Sequence, residues 1–194
     1  MHPIRHLSTI CHHRHLVFRH CCRAGIFWQG VTHDLSKFSA TEFWRGARFW
    51  HGGHSPNEEE RQVYGYSLAW MHHKGRNRHH YEFWTDIDPT TGGYSARPMP
   101  VRYVAEMFCD RMAASKTYLG KDYTDEAPYI YFTTRRAKNF MHPDTAALLL
   151  SWLTILKEEG ETVAFRVVKA AVKADKKAQK AAKKQGNKQQ EKEK

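Results

Sequence analysis

The stretch PVRYVAEMFCDRMAASKTYLG, residues 100–120, predicts the central helix of the protein. Prolines precede it and Gly120 closes it, as is usual for helix ends. One apolar stripe at helical spacing consists of Val101, Val104, Ala105, Phe108 and Met112. A second stripe consists of Tyr103, Met107, Asp110 and Ala114. A helix that is apolar on nearly all sides is buried, so we expect this segment in the core.

Asp110 is the exception in this helix. A carboxylate buried without a partner costs several kcal/mol, so a cation must meet it unless it faces water. A metal ion would satisfy it, and Ala113 and Ala114 leave room for a neighbouring ligand. An ion pair with Arg111 or Arg23 is the alternative.

Helical spacing continues on both sides of the central segment, and no strand pattern competes with it. Ser39 and Glu42 read as a capping box, and Gly25 and Gly75 as helix ends. The residues from Asp86 to Ala96 are predicted to form a loop. The expected helices run from about 12 to 24, 40 to 50, 56 to 73, 125 to 140 and 143 to 159, with a short one near 79 to 84. The fold class is therefore all-α, a compact helical bundle.

The chain has 194 residues, of which 41% are hydrophobic, enough for one domain with a core. Its net charge of +11 is concentrated at the end, because residues 166–194 contain 11 basic and 3 acidic residues. We expect a helical domain over residues 1–160 and a basic tail over 161–194 that begins as a helix and becomes disordered. Such a tail suggests one alternative function, a non-enzymatic nucleic-acid-binding protein with a structural metal site.

The four cysteines do not resemble a secreted disulfide framework, and no run of about 18 apolar residues is present. We therefore expect a cytoplasmic protein with no membrane segment. Another alternative is a structural zinc site formed by Cys11, Cys21, Cys22 and nearby histidines. The adjacent Cys21 and Cys22 cannot easily face the same ion, which disfavours that site.

Fourteen histidines are the main anomaly of the composition. Neutral imidazoles and carboxylates are typical ligands of divalent transition metals, and several elements of this chain offer them. The predicted metal ligands are His20, His33, Asp34, His73, His80 and Asp110. In each of the doublets His72-His73 and His79-His80, one member is expected to bind metal or substrate and the other to form a core hydrogen bond. The cofactor would be one or two ions of Mn, Fe, Co, Ni or Zn.

The ordered set His20, His33-Asp34 and Asp110 resembles the HD-domain superfamily of metal-dependent phosphohydrolases. The string HDLSKF, residues 33–38, is similar to the H-D-x-x-K element of many members, which implies that Lys37 approaches substrate phosphate. The resemblance also implies an all-helical, cytoplasmic enzyme. His13 or His15 could replace His20 as the first ligand. The strings HHRH, HDLSKF and HHKGRN together resemble an uncharacterised family of bacterial and phage proteins.

These observations predict a metal-dependent phosphohydrolase that acts on a nucleotide or a related phosphoester. Two ions bridged by Asp34 would activate a water molecule, which makes Asp34 and Lys37 the predicted catalytic residues. Lys37, Arg76 and Asn77 are the predicted substrate-binding residues, because Arg76 in a tight turn could hold a phosphate with both arms of its guanidinium. The G-Y-P string of cyclic-dinucleotide phosphodiesterases is missing, which argues against that substrate.

Overall fold

The computed structural model describes the backbone of residues 1–192 and the side chains of these residues except 136–137 and 186–192. Over this range the chain is predominantly helical, which confirms the all-α prediction. The α-helices are α1 (Pro3–Ala24), α2 (Phe27–Thr32), α3 (Ala40–Phe49), α4 (Pro56–Tyr64), α5 (Leu68–Lys74), α6 (Val101–Leu119), α7 (Ala127–Thr134) and α8 (Pro143–Lys192). Short 3₁₀ helices cover Leu35–Phe38, Tyr81–Phe83, Gly120–Asp122 and Arg136–Phe140.

The core is built around α1 and α6, which pack along each other, and α8 packs against both of them. Val104, Phe108 and Met112 of α6 are fully buried, as their stripe predicts. Burying a side chain of this size stabilises the fold by about 1.5–3 kcal/mol. The arrangement presents one face of α1 directly to Asp110 on α6.

The N-terminal helix is longer than predicted. It begins at Pro3 rather than near His12, and it buries His6, Ile10 and His13 on the face that continues to Val17. Gly25 ends it with a left-handed φ of 75°, and its N–H donates to the carbonyl of Cys22. Two more turns of α1 therefore pack on the domain, and α3 covers them.

The predicted helix from 56 to 73 is wrong, because the chain forms two helices there. Gly65 ends α4 in the left-handed region, with φ 77°. Ser67 then starts α5 by accepting a hydrogen bond from the N–H of Trp70. The break turns α5 toward the interior of the domain, which brings His73 against residues that follow α2.

The segment predicted as a loop contains a small antiparallel hairpin. The strands β1 (Thr85–Ile87) and β2 (Tyr94–Ala96) pair with Asp86 opposite Ser95. The prediction that no strand would form is therefore wrong at this one place. The short helix expected near His79 is a turn followed by the 3₁₀ helix Tyr81–Phe83.

Toward the C-terminus, α7 is shorter than predicted and is followed by a 3₁₀ helix up to Phe140. Helix α8 continues through a kink at Gly160, where φ is 78°, and is helical as far as Lys192. Ala164, Phe165, Val168 and Val172 are buried in the same core as α6. Core packing thus extends at least twelve positions beyond Gly160.

None of the described helices is both long and apolar enough to cross a membrane.

Candidate metal centre

Asp34 lies at the centre of the site, at the junction between α2 and the 3₁₀ helix Leu35–Phe38. Among the described residues it is the one non-glycine residue with positive φ, at 53°. Aspartate tolerates this left-handed conformation better than most residues, at a modest energetic cost. The turn directs the carboxylate inward, so that Asp34 is only 1% exposed.

The two oxygens of Asp34 face different sets of imidazoles. Oδ1 lies 3.3 Å from His73 Nε2 and 3.4 Å from His79 Nε2. Oδ2 lies 3.3 Å from His33 Nε2 and 3.9 Å from His13 Nε2. A carboxylate surrounded in this way can bridge two cations.

Asp110 closes the site from α6. Its Oδ1 lies 3.0 Å from His13 Nε2 and 3.6 Å from His33 Nε2. Its Oδ2 lies 4.0 Å from His79 Nε2. The alternative, an ion pair of Asp110 with Arg111 or Arg23, is not formed among the described residues, and Arg23 binds Glu161 instead.

Two groups of residues can each hold a metal ion, and they share Asp34. The His13 group comprises His13, His33, Asp34 and Asp110. The His73 group comprises Asp34, His73, His79 and His80. In both groups the candidate ligand atoms all lie within 4.8 Å of one another.

The distances within the two groups fit a divalent metal. Ligand atoms held at about 2.0–2.1 Å from an ion in tetrahedral or octahedral geometry are about 2.9–3.4 Å apart. Several contacts of Asp34 and Asp110 fall in that range. Within the described part of the chain, the buried atoms His33 Nε2, His79 Nε2, His80 Nε2 and Asp34 Oδ1 have no hydrogen-bond partner. Because buried polar atoms are normally satisfied, these atoms fit a bound cation.

Glu106 orients two of the histidines from behind. His33 Nδ1 donates to Glu106 Oε1 at 3.0 Å, and His79 Nδ1 lies 3.1 Å from the same oxygen. With Nδ1 bound to Glu106, Nε2 of each ring faces Asp34. Such carboxylate support of a ligating histidine fixes its tautomer and raises its basicity. A third group that could hold an ion consists of Glu106, His33 and His79. The hydrogen bonds from the two Nδ1 atoms to Glu106 explain this arrangement without an ion.

Glu42 supports the other side of the site. His73 Nδ1 donates to Glu42 Oε2 at 2.8 Å, and His72 Nδ1 donates to Glu42 Oε1 at 2.6 Å. Glu42 was expected to complete a capping box with Ser39. Its backbone N–H does donate to the Ser39 hydroxyl, but its carboxylate binds the two histidines instead.

The charges of the site reinforce one another. Burial acts to lower the pKa of His33, but the carboxylates of Asp34, Asp110 and Glu106 outweigh it and hold that pKa well above its usual value. Burial acts to raise the pKa of Asp34, but His33 and Lys37 hold it well below its usual value. The carboxylate therefore remains ionised, as a metal ligand must.

One protein family has a profile that matches this chain, over residues 2–155. The chain belongs to DUF5662, a family of unknown function. No curated protein and no solved structure matches it. The matched region of this DUF5662 chain contains every residue of the His13 and His73 groups.

Most of the ligands predicted from the DUF5662 sequence come together in these groups. The structure brings together His33, Asp34, His73, His80 and Asp110. It also places Lys37 at the site, with Nζ 2.7 Å from Asp34 Oδ2.

His20 is not part of either group, which corrects its assignment as the first ligand. Its Nδ1 lies 3.2 Å from the carbonyl oxygen of Cys109, and its ring packs against Phe165. Burial lowers the pKa of His20 to about 4, so it is a neutral core histidine. His13, one of the two alternatives considered for this ligand, takes the position two turns earlier on α1.

The two remaining predicted substrate-binding residues lie at the edge of the site. Arg76 is exposed and donates to the carbonyl of His72 at 3.2 Å. Asn77 is buried, and its amide donates to Ser36 Oγ and to the carbonyl of His73. These contacts make Asn77 a support for the turn that carries His73, and they leave Arg76 directed along the surface.

Neither supporting glutamate was predicted from the sequence to belong to the site. Glu106 precedes Asp110 by four residues, so the two share one face of α6. This spacing could have predicted that Glu106 lies at the same site as Asp110. Glu42 offered no such signal, because its role depends on the break at Gly65 that turns α5 inward.

Proposed function

We propose that this protein is a metal-dependent phosphoester hydrolase with a dinuclear site. The observation that carries the proposal is the division of the Asp34 oxygens between the His13 group and the His73 group. The ligand order along the chain, His13, His33-Asp34 and Asp110, also retains the resemblance to HD-domain phosphohydrolases. A nucleotide is the preferred substrate class under that resemblance.

Divalent cations at such a site supply Lewis-acid stabilisation of phosphoryl oxygens and a water nucleophile near neutral pH. The protein residues set the conditions for this chemistry. Glu42 and Glu106 bind Nδ1 of the imidazoles, so that Nε2 faces the centre, where a cation would replace its proton. The burial of Asp34 keeps bulk water away from the centre. Lys37, whose side chain is 28% exposed, presents an ammonium group to a phosphate at the edge of the site.

The test is metal analysis followed by a substrate screen. The purified protein is expected to contain up to two divalent transition-metal ions per chain. It should hydrolyse a chromogenic phosphoester or a nucleotide when supplied with manganese, cobalt or iron. Asp110→Ala should lose metal and activity while it retains helical circular dichroism.

Asp144→Ala provides the matched control, because Asp144 is exposed on α8 and lies far along the chain from both groups. It should behave as the wild type in both assays. Full metal occupancy in Asp110→Ala would contradict the proposed site. Normal metal binding without hydrolysis of any phosphorylated compound would contradict the proposed activity.

A second function, binding to nucleic acid or another polyanion, is favoured by the exposed lysines on the last part of α8. These are Lys173, Lys176, Lys177, Lys180, Lys183 and Lys184. Because the core includes Val172, a truncation that tests this function must follow Asp175 rather than Gly160. The shortened chain should keep hydrolysis and elute from heparin at lower salt than the full chain. Unchanged elution would exclude this role.

A further inference from the structure

The metal centre is accessible from one side. Asp34, His33, His73 and His79 are between 1% and 3% exposed, so no substrate can reach them directly. The side chains of Asp110 and Lys37 are 18% and 28% exposed. A substrate must therefore approach between the open face of α6 and Lys37.

The open face of α6 continues from Asp110 toward the C-terminus of the helix. Ala114 is one turn beyond Asp110, and Tyr118 is two turns beyond it. Arg111 lies on the Tyr118 side of this face, since it precedes Tyr118 by seven residues. Ala114 and Tyr118 are partly exposed, and the side chain of Ala114 is small.

Arg111 has an unusual environment for a guanidinium group. Its Nε is inaccessible to solvent and has no hydrogen-bond partner within the described structure. Its guanidinium carbon lies 5.3 Å from the ring centre of Phe132 and 6.0 Å from that of Tyr131. Asp110 and Glu82 are near enough to influence its charge, but among the described residues no carboxylate lies within the 4.0 Å of an ion pair.

A partly buried guanidinium without a carboxylate partner is costly, because its lost hydration is not replaced. Aromatic rings compensate only in part. Arg23 and Arg45, by contrast, form ion pairs with Glu161 and Glu60. Arg111 is next to a metal ligand instead, where an arriving anion would complete its interactions.

We infer that Arg111 binds a phosphate group of the substrate. This inference rests on the proposed function for the identity of the anion. The planar fork of a guanidinium matches two phosphate oxygens, whereas the Lys37 ammonium, which lies 2.7 Å from Asp34 Oδ2, acts as a point charge. Lys37 contacts Asp34, and Arg111 directly follows Asp110 on α6, so the substrate is an anion held by both cations.

Binding of inorganic phosphate to the metal-loaded protein tests this inference by calorimetry. Arg111→Met should weaken phosphate binding by about tenfold to a hundredfold, as expected for loss of charge-assisted hydrogen bonds. Arg111→Lys should recover only part of the affinity, because it restores the charge without the fork. Both variants should retain the wild-type metal content. Arg166→Met, which removes an exposed arginine of α8, is the matched control and should bind phosphate normally.

The inference would be overturned if Arg111→Met bound phosphate as tightly as Arg166→Met. If Arg111→Met does not fold, full affinity in a folded Arg111→Lys or Arg111→Gln variant would have the same meaning. Failure of this inference and failure of the proposed function give different results. Arg111-dependent phosphate binding without hydrolysis by the wild type refutes only the enzymatic function. Hydrolysis with unchanged KM in Arg111→Met refutes only the role of Arg111.

Discussion

Glu106→Gln should weaken metal binding in both groups at once. A single oxygen of Glu106 contacts Nδ1 of His33, which belongs to the His13 group, and Nδ1 of His79, which belongs to the His73 group. Glutamine keeps the shape of the side chain but removes the charge. Both imidazoles then lose the carboxylate that fixes their tautomer and raises their basicity.

The expected size of the effect follows from this sharing. Removing the carboxylate behind a ligating histidine typically lowers metal affinity by about 10- to 100-fold. That range corresponds to about 1.4–2.8 kcal/mol for each ion. Glu42→Gln should have the same effect on one ion only, because Glu42 supports His73 of the His73 group.

Competition with a chromogenic chelator measures both affinities as two separate phases. The matched control is Glu59→Gln, because Glu59 also contacts a histidine, His54, but does so at the surface. It should leave both phases unchanged. Equal affinities in Glu106→Gln and Glu59→Gln would refute the supporting role of Glu106. A lower affinity in only one of the two phases of Glu106→Gln would show that Glu106 supports only one of the two groups.

Three other changes should give distinct results. Lys37→Met should retain metal but lose most of the turnover in steady-state kinetics, because Nζ is the one cation within 2.7 Å of Asp34 among the described residues; unchanged kcat would refute its catalytic role. Nearby carboxylates outweigh burial and raise the pKa values of His33 and His73. The metal-free protein should therefore release protons when it binds metal, and its metal affinity should increase as pH rises. Calorimetry in buffers of different ionisation enthalpy measures the number of protons released. Gly46→Ala should lower the free energy of unfolding by about 1–3 kcal/mol, because the Cβ of the new alanine would lie 2.2 Å from His6 Nε2. The decrease should be smaller in a His6→Ala background.

The same raised pKa values affect the stability of the metal-free protein. A histidine whose pKa is higher in the folded state stabilises that state below its unfolded pKa, and the contribution is lost as pH rises through the folded pKa. The metal-free protein should therefore lose stability at alkaline pH. Bound metal should restore it, because the cation replaces the protons on His33 and His73.

The sequence correctly predicted several of the helix ends that are marked by capping residues, prolines or glycines. The capped start of α3 at Ser39 and the limits of α6 between Pro100 and Gly120 agree with the structure. The break at Gly65 was missed because Leu68 and His73 continue a helical pattern across it. A pattern of side chains does not reveal that a glycine has adopted a left-handed φ, even where Ser67 follows it as a potential cap.

The identity of the first ligand shows a different limit of sequence reasoning. His13 and His20 are separated by seven residues, so they lie on the same face of α1, two turns apart. Periodicity therefore assigns both to the interior and cannot distinguish them. The choice depends on where α6 crosses α1, which places Asp110 beside His13 and the Cys109 carbonyl beside His20.

The balance of buried charge favours two cations over one. Four carboxylates surround the site, those of Asp34, Glu42, Glu106 and Asp110. The Lys37 ammonium contacts Asp34. When the histidines are neutral, these groups together carry a net charge of −3. One divalent ion leaves one excess negative charge, which Arg111 at the edge of the site can only neutralise, so no net positive charge attracts a phosphate. Two divalent ions leave an excess positive charge, which an anionic substrate neutralises on binding. Metal content measured with and without inorganic phosphate should therefore show that phosphate strengthens retention of the second ion, and a stoichiometry that stays at one under both conditions would refute this argument.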